Sequence, residues 1–381
     1  MKSASIIIGG DLGPTSSNYS HFSDNRIQEL IDGQLLSVLS SADIRIFNLE
    51  VPLTNNELPI DKDGPNLIAP SDSINGIEAI APSLFTLANN HIMDQGARGL
   101  LDTVNSLTEK DIKFVGAGEN SEAAAKPYVL EYNGLRIGVY ACTENEFSIA
   151  EENMPGANPF DPLESPDHIA SLKTGCDFVI VLHHGGKEHY RYPSPELQKV
   201  CRKMVRSGAD LVVCQHSHCI GSYEKYNNGT IIYGQGNFLF DRHDNEFWNS
   251  GLLVRANLTD KMEIEYIPVI KRGNGVSLPN PETGKKILSD FFKRSEQITL
   301  GGFVAEQYDK YCIENGQYYL ATMAGLGKTL RRADKVLNRP LTRLIYSRRK
   351  LDIIRNHFEC ETHRELVINY LRLLNKKSQT Y

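Results

Sequence analysis

The sequence has no apolar run approaching the roughly 20 residues that a membrane-spanning helix needs. Its seven cysteines form no Cys-x-x-Cys pair and are odd in number, which argues against a disulfide framework or a zinc ribbon. The opening MKSASIIIGGD has no apolar segment of signal-peptide length before Asp11. We therefore expect reduced, buried thiols and a soluble, cytoplasmic chain.

The composition is that of a globular protein, but its charge is uneven. The 381 residues are 40% hydrophobic and 23% charged, with a net charge of −6, which excludes collagen-like and wholly disordered chains. Residues 325–381 hold 14 Lys and Arg against 5 Asp and Glu, a net charge of +9, so the rest of the chain carries −15. An acidic body without a recognition motif predicts no nucleic-acid partner.

Strand-like apolar runs alternate with helical periodicity over the first two thirds of the chain. This alternation predicts a layered α/β domain over residues 1–270, followed by a mostly helical basic region over 271–381. A helix is predicted over 25–39. Asn133-Gly134 predicts a tight hairpin, because both residues accept the positive φ of a type I′ turn.

Polar side chains that can bind metals follow the predicted strands directly. Ligands bind beyond the carboxyl ends of strands in α/β sheets, so these residues are expected to converge on one rim. Carboxylates, an amide and imidazoles without cysteine suit Zn, Mn, Fe or Ni better than Ca or Mg alone. The residues are Asp11, Asn48, Glu50, Asn90, His91, His183, His184, His216 and His218.

Each of these residues has a structural interpretation beside the functional one. An aspartate such as Asp11 after a strand is commonly a turn former or a helix cap. Asn89-Asn90 in a loop is commonly a turn, and a single histidine is commonly a surface or core residue. His216 and His218 carry more information, because alternate positions of an extended segment point the same way. The metal-site interpretation depends on all the strand ends together.

The sequence resembles the CapA, or poly-gamma-glutamate capsule synthesis, family, a branch of the calcineurin-like metallophosphoesterases. The resemblance covers roughly residues 4–245 and implies a four-layer αββα sandwich with a metal site at the sheet rim. It rests on Gly10-Asp11, Asn48-Leu49-Glu50, Leu87-Ala88-Asn89-Asn90-His91, Asp94-Gln95-Gly96, Gly116-Ala117-Gly118, His184-Gly185-Gly186-Lys187-Glu188, Gly208-Ala209-Asp210, His216-Ser217-His218, Tyr233-Gly234-Gln235-Gly236-Asn237-Phe238 and Asp241.

The same resemblance implies roles for individual residues. The implied metal ligands are Asp11, Glu50, Asn90, His216 and His218, with one more ligand from His183 or His184. His184 fits the family's HWGxE pattern better, but which histidine points inward stays open. About two divalent ions, Mn, Zn or Fe, are implied, although Leu12-Gly13 replaces the histidine of the superfamily's Asp-x-His.

Other residues are expected beside the metals. His91 matches the histidine that the superfamily places by the leaving group, and Asp94 either orients it or caps a helix. Glu188 is a candidate support for a histidine ligand. Candidate substrate-binding or supporting residues, whose alternative is a solvated or structural role, are Asn48, Lys62, Lys187, Arg191 and Asn237.

Two functions follow as hypotheses. The first is a metal-dependent hydrolase that cleaves a phosphoester, or a related ester or amide bond, in an anionic polymer or phosphorylated small molecule. The alternative is a non-catalytic accessory protein of capsule polymer assembly. The basic C-terminal region either meets an anionic membrane surface or a membrane-associated synthesis complex, or packs on the acidic body of its own chain.

Overall fold

The computed structural model describes residues 2–242 and 245–378, with side chains through residue 374. The strands are β1 (Ala4–Gly13), β2 (Ile44–Leu49), β3 (Leu84–Thr86), β4 (Lys113–Val115), β5 (Ala117–Gly118), β6 (Tyr128–Tyr132), β7 (Leu135–Thr143), β8 (Gly156–Ala157), β9 (Phe178–His184), β10 (Leu211–Gln215), β11 (Tyr223–Tyr226), β12 (Gly229–Ile232), β13 (Asn237–Phe240), β14 (Ser250–Leu258), β15 (Met262–Arg272) and β16 (Gly275–Ser277). The helices are α1 (Tyr19–Ser23), α2 (Ile27–Leu30), α3 (Gly33–Ser40), α4 (Ile74–Ala79), α5 (Gly96–Glu109), α6 (Ser121–Ala125), α7 (Glu164–Thr174), α8 (Pro195–Arg206), α9 (Pro281–Gln297), α10 (Phe303–Met323), α11 (Lys328–Val336), α12 (Pro340–Ile345), α13 (Arg348–Glu359) and α14 (Glu361–Ser378).

Two large sheets form the centre of the protein. The first has the strand order β16-β15-β14-β1-β2-β3-β4, and β13 also pairs with β1. The second has the order β11-β12-β10-β9-β7-β6. Within them, β1 to β4 are parallel to one another, as are β7, β9, β10 and β12. Parallel neighbours bring their carboxyl ends to one edge of each sheet.

The two sheets pack face to face, with helices on their outer surfaces. Ile6 and Ile8 of β1 share a buried core with Ile137 of β7. Ile7, between them, faces the opposite way and packs with Leu35 of α3, because successive strand residues point to opposite faces. This alternation makes β1 apolar on both sides, as a central strand requires.

The outer face of the second sheet is covered in the same way. Val181 of β9 packs with Ile169 of α7 and Met204 of α8 in a separate buried cluster. The layers therefore run helix, sheet, sheet, helix. The predicted four-layer αββα sandwich is confirmed.

Local signals were correct at the hairpin and wrong for one helix. Asn133 and Gly134 have φ of 49° and 78° between β6 and β7, so the predicted hairpin is confirmed. The single helix predicted over 25–39 is instead α2 and α3. Ile31 between them is extended and bridges to Val276, and Asp32 caps α3 by accepting hydrogen bonds from two backbone N–H groups. A capping aspartate starts a new helix and thereby ends the previous one.

The chain divides into two compact units, Met1–Ala305 and Glu306–Tyr381. The first includes α9, because Phe291 packs against Ile220 and Leu252. A functional division after residue 270 stays a prediction. Among the described residues, no helix combines the length and the apolar character needed to cross a bilayer.

Strand β1 changes partners halfway along. Ala4–Ile8 pair with the antiparallel strand β14, whereas Asp11, Leu12 and Gly13 pair with the parallel strand β13. The register with β2 shifts between Ile8 and Asp11. The change happens at Gly10, where an added Cβ would lie 1.9 Å from the carbonyl oxygen of Gly236.

We expect Gly10→Ala to lower the free energy of unfolding by about 3 kcal/mol or more, because backbone atoms on both sides must move. Denaturant unfolding followed by circular dichroism measures this change. Gly33→Ala is the matched control, since a Cβ there meets nothing within 4 Å and should change stability by less than about 1 kcal/mol. Equal stability of Gly10→Ala and the parent chain would contradict the close approach.

Candidate metal centre

Loops from both sheets meet at the carboxyl ends of their parallel strands. Asp11 lies near the end of β1, and Glu50 directly follows β2. His184 is the last residue of β9, and His216 follows β10. All four side chains are buried. The rim expected from the sequence thus receives residues from four strands.

These residues form two overlapping groups of candidate metal ligands. One consists of Glu50, His184 and His216, and the other of Asp11, Glu50 and His218, with the ligand atoms of each group within 4.8 Å of one another. Glu50 Oε1 lies 3.7 Å from His184 Nε2 and 3.6 Å from His218 Nε2. Glu50 is common to both groups, so its carboxylate can face two cations.

The electrostatics of the cluster fit a cation. Both carboxylate oxygens of Glu50 and Oδ2 of Asp11 are buried and accept no hydrogen bond in the part of the chain described. Burial, followed by the charge of Asp11, raises the pKa of Glu50 well above its usual value. Burial lowers the pKa of His184, and burial with His218 nearby lowers that of His216 to about 4. Neutral imidazoles and unpaired carboxylates are the ligand forms that divalent metals require.

Amide side chains hold the first carboxylate. Asn48 donates through Nδ2 to Asp11 Oδ1 over 2.8 Å, and Asn89 donates to Asn48 Oδ1 over 3.0 Å. Asn89 also accepts from the backbone N–H of His91. The sequence predicts only a turn at Asn89, although Asn89 has the same position after a strand that marks Asn90.

Two further amides contact candidate ligands. Asn90 Oδ1 lies 3.0 Å from His184 Nε2, and Asn237 Oδ1 lies 2.8 Å from His218 Nδ1. His216 and His218 have φ of 83° and 51°, a conformation that costs energy for residues other than glycine. Strained backbone therefore coincides with the two histidines of this loop.

The adjacent histidines of β9 point in opposite directions. His183 Nδ1 lies 3.5 Å from Cys142 Sγ, and its ring packs edge-on against Phe160 at 5.7 Å. His184 faces Glu50 and His216. The alternation of a strand produces this difference. The structure places His184, and not His183, in the cluster.

His91 lies close enough to His184 to act on it electrostatically, and a buried ion pair holds it. Its Nδ1 is 2.6 Å from Asp94 Oδ2, and Asp94 is also paired with Lys62. Burial lowers the pKa of His91, and Asp94 opposes this shift. The Lys62 side chain is only 3% exposed. It is therefore not the solvated surface charge that the sequence allowed, and its Nζ lies 3.3 Å from His91 Nδ1. Substrate binding by Lys62 stays a prediction.

The other predicted supporting residues are placed differently. Glu188 interacts electrostatically with Glu50, His216 and His218, but in the described part of the chain it forms no hydrogen bond with these histidines. The guanidinium of Arg191 lies 4.8 Å above the Phe247 ring and donates to a backbone carbonyl. It is therefore already engaged within the protein.

Trp248 and Arg242 lie near the candidate ligands but are not among the residues predicted from the sequence. Trp248 stacks on His218 with ring centroids 4.3 Å apart, and its Nε1 donates to His189 Nε2 over 2.8 Å. Arg242, two residues beyond β13, acts electrostatically on both Glu50 and His91. The strand-end rule could have found Arg242, whereas no local pattern marks Trp248 except that it is the single tryptophan.

The family model of the bacterial capsule synthesis protein PGA_cap matches residues 5–242. The chain belongs to this family. All five members of the two ligand groups, together with His91, Asp94 and Arg242, lie within the matched residues. The predicted CapA-family membership is thereby confirmed.

Relatives of this PGA_cap chain cover only part of it. The capsule biosynthesis protein CapA of Bacillus anthracis is 32% identical over 183 residues, 46% of this chain and 44% of that protein. The PGA biosynthesis protein CapA of Bacillus subtilis (strain 168) is 30% identical over 240 residues, 61% of this chain and 63% of that protein. The PGA_cap chain thus spans 44% and 63% of the length of these two relatives.

A solved structure titled a novel phosphatase of Mycoplasma pneumoniae is also similar to the PGA_cap chain. It is 16% identical, with 71% of this chain and 95% of that chain covered and a TM-score of 0.45.

Proposed function

We propose that this PGA_cap protein is a metal-dependent hydrolase that cleaves a phosphoester, or a related ester or amide bond, in the synthesis of capsule, poly-gamma-glutamate or another cell-surface polymer. The observation that carries the proposal is the pair of ligand groups sharing Glu50, with His91 beside them. The names of the two Bacillus relatives support the pathway. The substrate is an anionic polymer or a phosphorylated small molecule.

Each part of the cluster has a distinct task in this proposal. Glu50, His184 and His216 would hold one divalent cation, and Asp11, Glu50 and His218 a second. Cations bound there would polarise the scissile group and lower the pKa of a water molecule. Asn48 fixes the orientation of Asp11 through its hydrogen bond, as residues behind metal ligands commonly do.

His91 is the proposed proton donor to the leaving group. Its Nδ1 is bound to Asp94, which leaves Nε2 as the nitrogen that can exchange a proton with substrate. Asp94 fixes the ring, and Lys62 offsets the buried charge of Asp94. An imidazole suits this task because it ordinarily titrates near neutral pH, and Asp94 opposes the fall in the pKa of His91 that burial causes.

We expect Arg242→Ala to raise KM about tenfold or more while kcat changes little, because Arg242 lies close enough to the site to act electrostatically on Glu50 and His91 and is placed to bind an anionic group of the substrate. Charge-assisted hydrogen bonds contribute about 1.5–3 kcal/mol. Steady-state kinetics on an anionic substrate measures the change. Arg206→Ala, on the exposed surface of α8, is the matched control. An unchanged KM in Arg242→Ala would remove Arg242 from the substrate site.

A second candidate function is a non-catalytic accessory protein of polymer assembly. An added Cβ at Gly13 already lies 3.0 Å from the Phe240 ring, so a histidine there, as in the superfamily's Asp-x-His, would need that ring to move. Position 13 therefore adds no imidazole to the Asp11 group, and one structural metal held by Glu50, His184 and His216 would suffice for this role.

Metal content and hydrolysis, measured together, separate the two functions. The full chain is purified without chelator, analysed for bound metals, and assayed on a phosphodiester and a phosphomonoester with added Mn or Zn. About two metals per chain with turnover supports the hydrolase. A chain that binds no metal and stays inactive with added Mn or Zn contradicts it and favours the accessory role.

A further inference from the structure

The single tryptophan of the chain covers a face of His218. Trp248 is buried, and its ring lies 4.3 Å from the His218 ring at an interplanar angle of 27°. Phe240 meets both rings at steep angles, with centroids 5.9 Å from His218 and 5.2 Å from Trp248. Offset stacks and edge-on contacts are the favourable geometries of aromatic pairs. His218 is therefore packed between two aromatic neighbours.

A closed circuit of contacts joins three loops at this point. Trp248 Nε1 donates a hydrogen bond to His189 Nε2 over 2.8 Å. The backbone N–H of His189 donates to the carbonyl oxygen of Ser217 over 2.9 Å. Ser217 is bonded to His218, whose ring Trp248 covers. The loops that follow β9, β10 and β13 are thus tied to one another through Trp248.

The circuit includes a residue with a strained backbone. His218 has φ of 51°, and such a conformation persists outside glycine only where surrounding contacts impose it. On its polar side, His218 Nδ1 lies 2.8 Å from Asn237 Oδ1 and 3.3 Å from Asp11 Oδ2. The stack with Trp248 opposes rotation of the imidazole away from these partners and from Glu50.

The two ligand groups are held by different contacts. His218 is the one histidine of the group with Asp11 and Glu50. In the other group, His184 and His216 pack edge-on against each other with ring centroids 4.8 Å apart. Loss of the Trp248 ring is therefore expected to affect mainly the group that contains His218.

We propose that Trp248 is a positioning residue for the group of Asp11, Glu50 and His218, which binds a divalent cation more tightly than it would with an imidazole free to turn. The inference rests on the metal centre of the proposed function and adds to it a residue that contacts a ligand rather than the metal. Residues that orient metal-binding histidines typically change metal affinity about 10–100-fold.

Equilibrium dialysis of the metal-free full chain against Mn²⁺ or Zn²⁺ tests this role. We expect Trp248→Leu to weaken one of two binding steps at least about tenfold and to leave the other nearly unchanged. Trp248→Phe keeps a ring for His218 and should lose less affinity. Phe22→Leu is the matched control, because Phe22 is wholly buried in α1 and its truncation should lower stability without changing either step.

The fluorescence of Trp248 supplies a second readout. A cation bound by His218 polarises the ring that is stacked on the indole, so the emission of this single tryptophan should change as the parent chain binds metal. In His218→Ala the emission should no longer respond, although Glu50, His184 and His216 can still bind an ion.

The outcomes separate this inference from the proposed function. Unchanged affinities in Trp248→Leu, whether the parent chain binds one ion or two, would overturn the positioning role and leave the metal centre intact. Equal weakening of both steps, or the same weakening in Phe22→Leu, would show a general loosening of the fold and overturn it as well. A parent chain that binds neither ion would contradict the metal centre itself, and with it both proposals.

Discussion

Glu50→Gln is expected to remove metal from both ligand groups and to reduce hydrolysis to the level of the metal-free chain. Glu50 is the one residue common to the two groups, and glutamine keeps its size while removing its charge. Elemental analysis and turnover of the purified variant measure the two losses. Retention of both metals in Glu50→Gln would show that Glu50 is not shared between them.

The same substitution should have the opposite effect on the stability of the metal-free chain. Burial raises the pKa of Glu50, so its ionised form destabilises the folded state at neutral pH. We expect metal-free Glu50→Gln to be more stable than the metal-free parent by about 1 kcal/mol or more. The gain should vanish below about pH 4, where the carboxyl is protonated in both folded and unfolded chains.

Glu224→Gln is the control for these experiments. Glu224 is also buried, but it accepts a hydrogen bond of 2.6 Å from Arg202. Removing its charge leaves Arg202 without its partner, so this variant should lose stability and keep its metals. If Glu50→Gln, like Glu224→Gln, lost stability and kept its metals, Glu50 would not be a shared metal ligand.

His91→Ala is expected to reduce kcat about 10²–10⁴-fold with nearly unchanged metal content, while the lost hydrogen bond to buried Asp94 should lower the free energy of unfolding by about 1–3 kcal/mol. General acid catalysis contributes an effect of this size, and His91 belongs to neither ligand group. Turnover, metal analysis and thermal unfolding of one preparation measure the three quantities. If a substrate with an activated leaving group restores the kcat of His91→Ala, the function that the variant has lost is proton donation to the leaving group.

His168→Ala is the matched control for His91→Ala. Nδ1 of His168 lies 3.3 Å from the Tyr140 hydroxyl, away from the rim, so its loss should leave kcat unchanged. If His91→Ala instead loses metal, His91 is a ligand. Normal turnover in His91→Ala would exclude it as the proton donor.

Much of the candidate site could be anticipated because a simple rule locates it. Asp11, Glu50 and His184 lie at or just beyond the ends of predicted strands, and parallel strands bring those ends together. Apolar runs define strands strongly, so the rule needs no long-range information. The choice between His183 and His184 did need the structure, because the phase of a strand that is buried on both faces is invisible in its sequence.

Contacts between distant loops could not be anticipated. Lys62 lies in a long polar connection, and nothing in that segment indicates that its ammonium is buried against Asp94. Trp248 reaches His218 from beyond β13, outside any periodic element. Such placements depend on packing between remote segments, whereas helix and strand signals report only neighbouring residues.

The change of partners along β1 also determines when the metal centre can form during synthesis. Asp11 is among the first residues made, yet its register partner Asn237 and its neighbour His218 come more than 200 residues later. Contacts this remote in sequence slow folding, since a long loop must close before they form. A chain still emerging from the ribosome therefore carries Asp11 and Glu50 until His184, His216 and His218 have followed them, and any metal bound by these groups would enter late in maturation.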